Sequence, residues 1–138
     1  MLSVEIRGGE SIRDTLKNLS LALDRREILD ESGAVLLNII RTRYRAEVSP
    51  EGEKWKRSKA AIREGRATLF RTGRLFHSLQ LSSSGPDSRT IGTDVPYGKY
   101  HQFGTKKMVR RMFLGFNDRD AEIIEALLVA RLRRVGAV

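Results

Sequence analysis

The sequence predicts a single α+β domain over residues 1–138: a small antiparallel sheet of about four strands, with a long central helix and a C-terminal helix packed on one face. Three observations lead to this prediction. Short segments alternate apolar and polar residues, one long segment carries apolar residues at helical spacing, and a second such segment ends the chain. A chain of 138 residues also fits one domain.

The first half of the chain predicts one strand followed by two helices. Residues 2–7 alternate apolar and polar side chains, which is typical of a half-buried strand, and two glycines end it. A helix is predicted over 11–23. The strongest helix of the chain is predicted over 25–47, where apolar residues recur at helical spacing. Those residues are Ile28, Leu29, Val35, Leu36, Ile39, Ile40 and Tyr44.

In the middle of the chain, the sequence predicts a basic loop at about 49–74 and then a hairpin. The loop holds Trp55, the only tryptophan, and a short helix over 58–64. A helical turn begins near Thr72, where Gly73 is expected to supply a positive φ. Strands near Leu79 and over 89–93 are joined by a short loop, which requires antiparallel neighbours.

For the last part of the chain, from residue 97 onward, the sequence predicts a short turn, a strand and a helix. In residues 97–104, Tyr97, Tyr100 and Phe103 recur every third residue, so we expect these three rings to face the core. His101 and Gln102 would then point toward a polar partner or cap the backbone, and Gly104 would end the turn in a left-handed conformation. The final strand is predicted over 109–116.

The C-terminal helix begins after Asn117, a favoured N-cap residue. Asp118 and Asp120 follow in its first turn, where carboxylates suit the positive end of the helix dipole. Apolar residues then recur at helical spacing to Val135, which predicts an amphipathic helix to the end of the chain.

The residue types present point away from enzyme chemistry. The chain has no cysteine, so disulfides and cysteine zinc sites are excluded. His77 and His101 are its only histidines, and no metal-ligand spacing, nucleophile elbow or phosphate loop accompanies them. We therefore predict no enzyme, no metal and no cofactor. No signal peptide or membrane-spanning run is visible, so no membrane contact is predicted.

The net charge of +9 lies entirely in residues 51–138, since basic and acidic residues balance before that point. A basic loop with one aromatic residue could grip phosphates and stack a base, which makes a nucleic-acid-binding module the alternative function. The loop's basic residues are Lys54, Lys56, Arg57, Lys59, Arg63, Arg66, Arg71 and Arg74. We prefer the interpretation that Trp55 anchors this loop onto the body or onto a neighbouring subunit, because tryptophan is favoured at interface anchors.

Four segments, in order, resemble the phage virion morphogenesis family, the tail completion family of Mu-type G proteins. Residues 49–55, SPEGEKW, resemble its S/D-P-x-G-x-x-W segment, and residues 69–79, LFRTGRLFHSL, resemble its L-x-x-T-G-R-L-x-x-S segment. Residues 91–104, IGTDVPYGKYHQFG, resemble G-T-x-x-x-Y-A-x-x-H-Q-x-G, and residues 110–115, RRMFLG, resemble R-x-F-L-G. Gly98 departs from the pattern, where the family has alanine.

The resemblance implies a structural protein that completes the phage tail or joins tail to head as an oligomeric ring, for which a hexamer is the expected form. It implies assembly in the host cytoplasm, a place in the virion, and other tail or neck proteins as partners. The motif residues are Trp55, Thr72, Gly73, Arg74, Leu75, Tyr97, His101, Gln102, Gly104, Phe113 and Gly115. The predicted interface consists of Lys54, Trp55, Lys56, Arg57, His101, Gln102, Arg110 and Arg111.

Overall fold

A computed structural model describes residues 2–7, 25–86 and 88–134 of the chain. Three strands and five helices lie in these ranges. They are β1 (Leu2–Arg7), α1 (Arg25–Arg45), α2 (Lys59–Glu64), α3 (Arg74–Ser78), β2 (Gln80–Gly85), β3 (Ser88–Thr93), α4 (Gly98–Phe103) and α5 (Asp118–Arg134). The helix predicted over 11–23 lies outside the described residues. None of the described helices is both long and apolar enough to span a bilayer.

The described strands form one antiparallel sheet in the order β1-β3-β2. Ile91 in the central strand pairs with Val4 on one side and Leu81 on the other. The predicted hairpin is confirmed, since β2 and β3 are antiparallel neighbours separated by only two residues of the sequence. The mixed α+β class and the antiparallel sheet are as predicted, but the described residues form three strands rather than four.

Helix α1 packs on this sheet as the sequence predicts. Its apolar stripe buries Leu36, Ile40 and Tyr44 almost completely. The helix approaches β2 so closely that a Cβ atom on Gly33 would lie 2.6 Å from Leu81 Cδ1, which explains a glycine in the middle of a helix. Burial of this apolar stripe, rather than helix propensity, is the main source of the helix's stability.

Tyr44 lies at the centre of an aromatic core. Its ring meets those of Trp55, Phe76 and Phe113 edge to face, at centroid distances of 5.2, 5.3 and 5.9 Å. Its hydroxyl donates a hydrogen bond to the Leu69 carbonyl at 2.6 Å. Edge-to-face pairs of this kind stabilise a core beyond the area they bury, so Tyr44 ties α1 to the basic loop and to the segment 109–116.

Helix α5 packs on α1. Ile124 and Leu128 are buried on its inner side, and Asp120 pairs with Arg43 of α1 at 2.9 Å. The predicted N-cap is confirmed, since Asn117 Oδ1 accepts a hydrogen bond from the Asp120 amide at 2.8 Å. The Asp120 carboxylate returns a bond to the Asn117 amide at 3.1 Å, completing a reciprocal cap.

The prediction of a strand over 109–116 is wrong. This segment belongs to none of the described strands, and three of its amides donate to α4 instead. The Arg111 amide donates to the His101 carbonyl at 2.7 Å, and the Phe113 and Leu114 amides both donate to Oε1 of Gln102. One buried side chain therefore satisfies backbone groups that a neighbouring strand would otherwise pair.

The prediction that the rings of Tyr97, Tyr100 and Phe103 all face the core is also wrong. Tyr100 and Phe103 are 46% and 65% exposed, and only Tyr97 packs against the core. Gly98 and Gln102 occupy the buried side of the helix instead. The reason is the amide of Gln102, which reaches inward to the segment 109–116 and turns the rings at positions 100 and 103 outward.

Candidate functional site

The motif around Gly73 builds a tight turn that leads into α3. Gly73 has φ +76°, which confirms the predicted positive φ, and a Cβ atom there would lie 3.0 Å from the ring of His77. The Thr72 hydroxyl accepts a hydrogen bond from the Arg74 amide at 3.2 Å. Leu75 is buried in the core. The turn consequently exposes Thr72 and Arg74 beside a buried leucine.

Two other motif residues hold the extended segment 109–116 from either side. Gln102 is 6% exposed, and its Nε2 donates to the Leu114 carbonyl at 2.7 Å while its Oε1 accepts from two amides. Trp55 is also 6% exposed, and its Nε1 donates to the Met112 carbonyl at 2.9 Å. Gln102 therefore caps backbone, one of the two roles that the sequence left open, and the indole of Trp55 anchors the basic loop on the body.

Gly104 ends α4 with φ +73° and ψ 173°, so the φ is positive as expected but the residue is not in the left-handed helical region. A Cβ atom there would lie 3.0 Å from the Arg110 amide nitrogen. The loop 105–110 thus folds back against the end of the helix. Gly98 is equally confined, because a Cβ atom would lie 3.1 Å from Thr93 and 3.3 Å from Leu75.

These turns enclose a cleft of about 420 Å³, which we call the basic cleft. Motif residues from two segments line it, Thr72 to Leu75 on one side and Tyr97 with His101 on the other. None of the described residues lining it is Asp or Glu. Its basic side chains are Arg66, Arg71, Arg74, His101 and Arg111.

The electrostatics of the basic cleft favour an anion. Arg111 is 8% exposed, its Nε donates to the Lys56 carbonyl at 2.7 Å, and burial lowers its pKa. Burial and the nearby Arg111 charge both lower the pKa of His101. The Nδ1 atom of His101 is buried, with no hydrogen-bond partner among the described residues. At neutral pH the cleft therefore offers a neutral imidazole beside guanidinium groups.

The remaining cleft residues set its shape. The guanidinium of Arg74 lies 5.8 Å from the centre of the Tyr97 ring, and the His101 ring meets that same ring edge on. Arg66 pairs with Glu64 at 2.5 Å, whereas Arg71 and Arg74 are exposed. Guanidinium groups recognise planar carboxylates and phosphates through paired hydrogen bonds, so a partner bearing either group suits this cleft.

The predicted interface residues fall into three groups in the structure: exposed residues, residues that line the basic cleft, and buried residues. Lys54, Lys56, Arg57 and Arg110 are exposed, and His101 and Arg111 line the basic cleft. Trp55 and Gln102 are buried within this chain, so any partner at this surface would meet their neighbours first. Stacking of a base on Trp55, part of the nucleic-acid alternative, conflicts with that burial.

Sequence reasoning missed an exposed apolar surface beside the cleft. It consists of Tyr100, Phe103, Met108 and Val109. The three-residue spacing of the aromatics indicated a shared helix face but not which side of the helix faces the core. Within the described residues, no cluster of three or more His, Asp or Glu side chains is arranged to hold a metal ion.

Comparison with known proteins finds a matching family model and a curated relative. A family model described as the phage virion morphogenesis family matches residues 8–133. A curated relative, the Mu-like prophage FluMu G protein 1 of Haemophilus influenzae, is 33% identical over 127 residues, covering 86% of each chain. No solved structure gives a significant match.

Proposed function

Because the chain belongs to the phage virion morphogenesis family, with a role in virion assembly, we propose that it completes the phage tail or joins tail to head. It acts there as a structural subunit in a ring of identical copies, and not as an enzyme. Assembly takes place in the host cytoplasm, and the partners are other tail or neck proteins.

The observation that carries this proposal is the basic cleft. Two motif segments meet there, and four arginines but no carboxylate lie among its described lining residues, with Arg66 paired to Glu64 outside the cleft. We assign it the role of receiving an acidic segment of a neighbouring tail or neck protein. Arg71 and Arg74, both exposed at its edge, would pair with the carboxylates of that segment.

Nucleic acid is the second candidate ligand, because guanidinium groups bind phosphates as well as carboxylates. The net charge of +9 supports it. The burial of Trp55 argues against base stacking, so this candidate would rest on phosphate contacts alone.

A complementation experiment tests the cleft. A phage lacking the gene would be supplied with the wild-type chain, with Arg71→Glu/Arg74→Glu, or with the control Lys59→Glu/Arg63→Glu, which changes the same charge on α2 outside the cleft. We expect the cleft variant to leave heads beside unfinished or unjoined tails in electron micrographs, while the control restores whole particles. Thermal unfolding of each variant checks that it folds.

Three results would change this interpretation. Normal virions without the gene would overturn the assembly role. Full rescue by the cleft variant would remove the cleft from that role. DNA binding by the wild-type chain that falls steeply with added salt, and that the cleft variant loses, would favour the nucleic-acid candidate.

A further inference from the structure

An apolar surface with a basic border lies beside the basic cleft, and we call it the α4 surface. Its apolar members range from 36% exposed for Met108 to 65% exposed for Phe103. Large exposed apolar groups gathered in one place mark interaction sites in soluble proteins. The members are Tyr100, Phe103, Met108 and Val109, and the exposed cations near them are Lys99, Lys106, Lys107 and Arg110. At one edge, Val109 and Arg110 line a second cleft with Glu51 and Glu53, so the border is basic along α4 and the loop after it.

The backbone holds the α4 surface in place. Tyr100 and Phe103 lie one turn apart on α4, and the loop after them is closed by a bond from the Thr105 amide to the Met108 carbonyl at 2.9 Å. The bond from the Arg111 amide to the His101 carbonyl fixes the far end of that loop on the helix. The surface is therefore ordered before any partner arrives, which lowers the entropy lost on binding.

The outer face of α5 is acidic in its first half, with three exposed carboxylates against one exposed arginine, and we call it the α5 face. Its exposed apolar residues are Ile123 and Val129, at 40% and 39% exposure. The exposed acids Asp118, Glu122 and Glu125 lie along the first half of the helix at spacings of four and three residues. Arg119 is exposed in the first turn, and the other exposed cations of this face, Arg133 and Arg134, lie in the last turn.

The two surfaces belong to different parts of the described structure. The inner side of α4 meets Thr93, Leu75 and the segment 109–116, whereas the inner side of α5 packs on α1 through Ile124 and Leu128. Two α4 surfaces facing each other would bring like charges together, so a symmetric contact through this surface is disfavoured. An α4 surface facing an α5 face would pair cations with carboxylates around apolar centres.

We propose that the α4 surface of one copy docks on the α5 face of the next copy. A head-to-tail contact of this kind generates a closed ring if its rotation closes and a filament if it does not. This inference rests on the ring in the proposed function, and it names the surfaces that build the ring.

Engineered cysteines test the contact directly, because the chain has no cysteine of its own. Phe103→Cys and Ile123→Cys would be purified separately, mixed and oxidised. We expect a disulfide-linked heterodimer from the mixture and little product from either variant alone. The matched control is Ile62→Cys, since Ile62 is an exposed apolar residue on α2, at 61%, and it should not link to Phe103→Cys.

Linkage of Phe103→Cys to itself, or to Ile62→Cys as readily as to Ile123→Cys, would overturn the proposal. Sedimentation of charge-reversal variants is a second test, and it measures self-association. Lys106→Glu/Lys107→Glu and Glu122→Lys/Glu125→Lys should each weaken self-association by about tenfold or more, because like charges then face each other. Mixing the two variants should restore association, since each then offers the other a complementary surface.

A matched reversal elsewhere, Lys59→Glu/Arg63→Glu on α2, should associate as the wild type does. A wild-type chain that stays monomeric and unlinked at high concentration would overturn docking between copies while leaving the assembly role to the complementation experiment. A chain that links as expected, yet is dispensable for tails, would overturn the proposed function and leave the contact standing.

Discussion

The amide of Gln102 replaces a sheet neighbour for the segment 109–116, and Gln102→Leu tests that role. Leucine fills a similar volume but offers no hydrogen bond. The substitution would leave the amides of Phe113 and Leu114 and the Leu114 carbonyl without their present partner. These three groups lie in the core beside residues that are 1% exposed, so water cannot replace the lost bonds without a rearrangement.

The expected loss of stability follows from the number of buried polar groups that the substitution leaves without a partner. Leaving a buried polar group unsatisfied costs about 1–3 kcal/mol. Three such groups, with some relaxation of the segment toward water, give a loss of about 3–6 kcal/mol in the free energy of unfolding. Domains of this size have a total stability of about 5–15 kcal/mol, so Gln102→Leu should leave a marginally stable protein.

Urea unfolding followed by tryptophan fluorescence measures this loss. Trp55 is the only tryptophan and is buried against the same segment, so its emission reports release of residues 109–116. Lys99→Leu, on the exposed side of the same helix, is the control and should change stability by less than about 0.5 kcal/mol. A loss below about 1 kcal/mol for Gln102→Leu would refute the claim that this amide holds the segment.

Two further changes give defined outcomes. Trp55→Ala should lower the free energy of unfolding by about 3–5 kcal/mol, because it removes a buried ring and its bond to Met112. This variant has no tryptophan, so circular dichroism would follow its urea unfolding, and a loss near zero would contradict the anchoring role. Burial and Arg111 hold the pKa of His101 below 6.5, so the unfolded chain takes up this proton first as pH falls. Stability should therefore decrease below about pH 6.5, and urea midpoints measured for His101→Gln should show a weaker dependence between about pH 7 and 5.

The helices and the hairpin could be predicted because their signals are local. Apolar spacing along α1 and α5 reports which side each helix buries, and the buried residues Leu36, Ile40 and Leu128 are among those expected. The hairpin follows from a loop too short to join anything but antiparallel strands. The cap at Asn117 depends on residues within three positions of each other.

The errors arose where a distant side chain decided the outcome. An apolar extended run such as 109–116 indicates a strand only if its amides find a strand neighbour, and Gln102, more than ten residues away, supplies the acceptor instead. The same contact decides which side of α4 is buried. Periodicity gave the spacing of Tyr100 and Phe103 but carried no information about the amide that turns them outward.

The family motifs consequently report both the fold and the basic cleft. Trp55, Gln102 and Phe113 are interior, whereas the α4 surface, which lies within and just after the third motif segment, is exposed. Met108 connects the two proposed sites, since it lines the basic cleft and also belongs to the α4 surface. A copy docked on the α4 surface would therefore form part of the cleft's border. On this arrangement, each subunit boundary of a ring places one basic cleft beside it, so ring closure would prepare the cleft for the next protein of the tail.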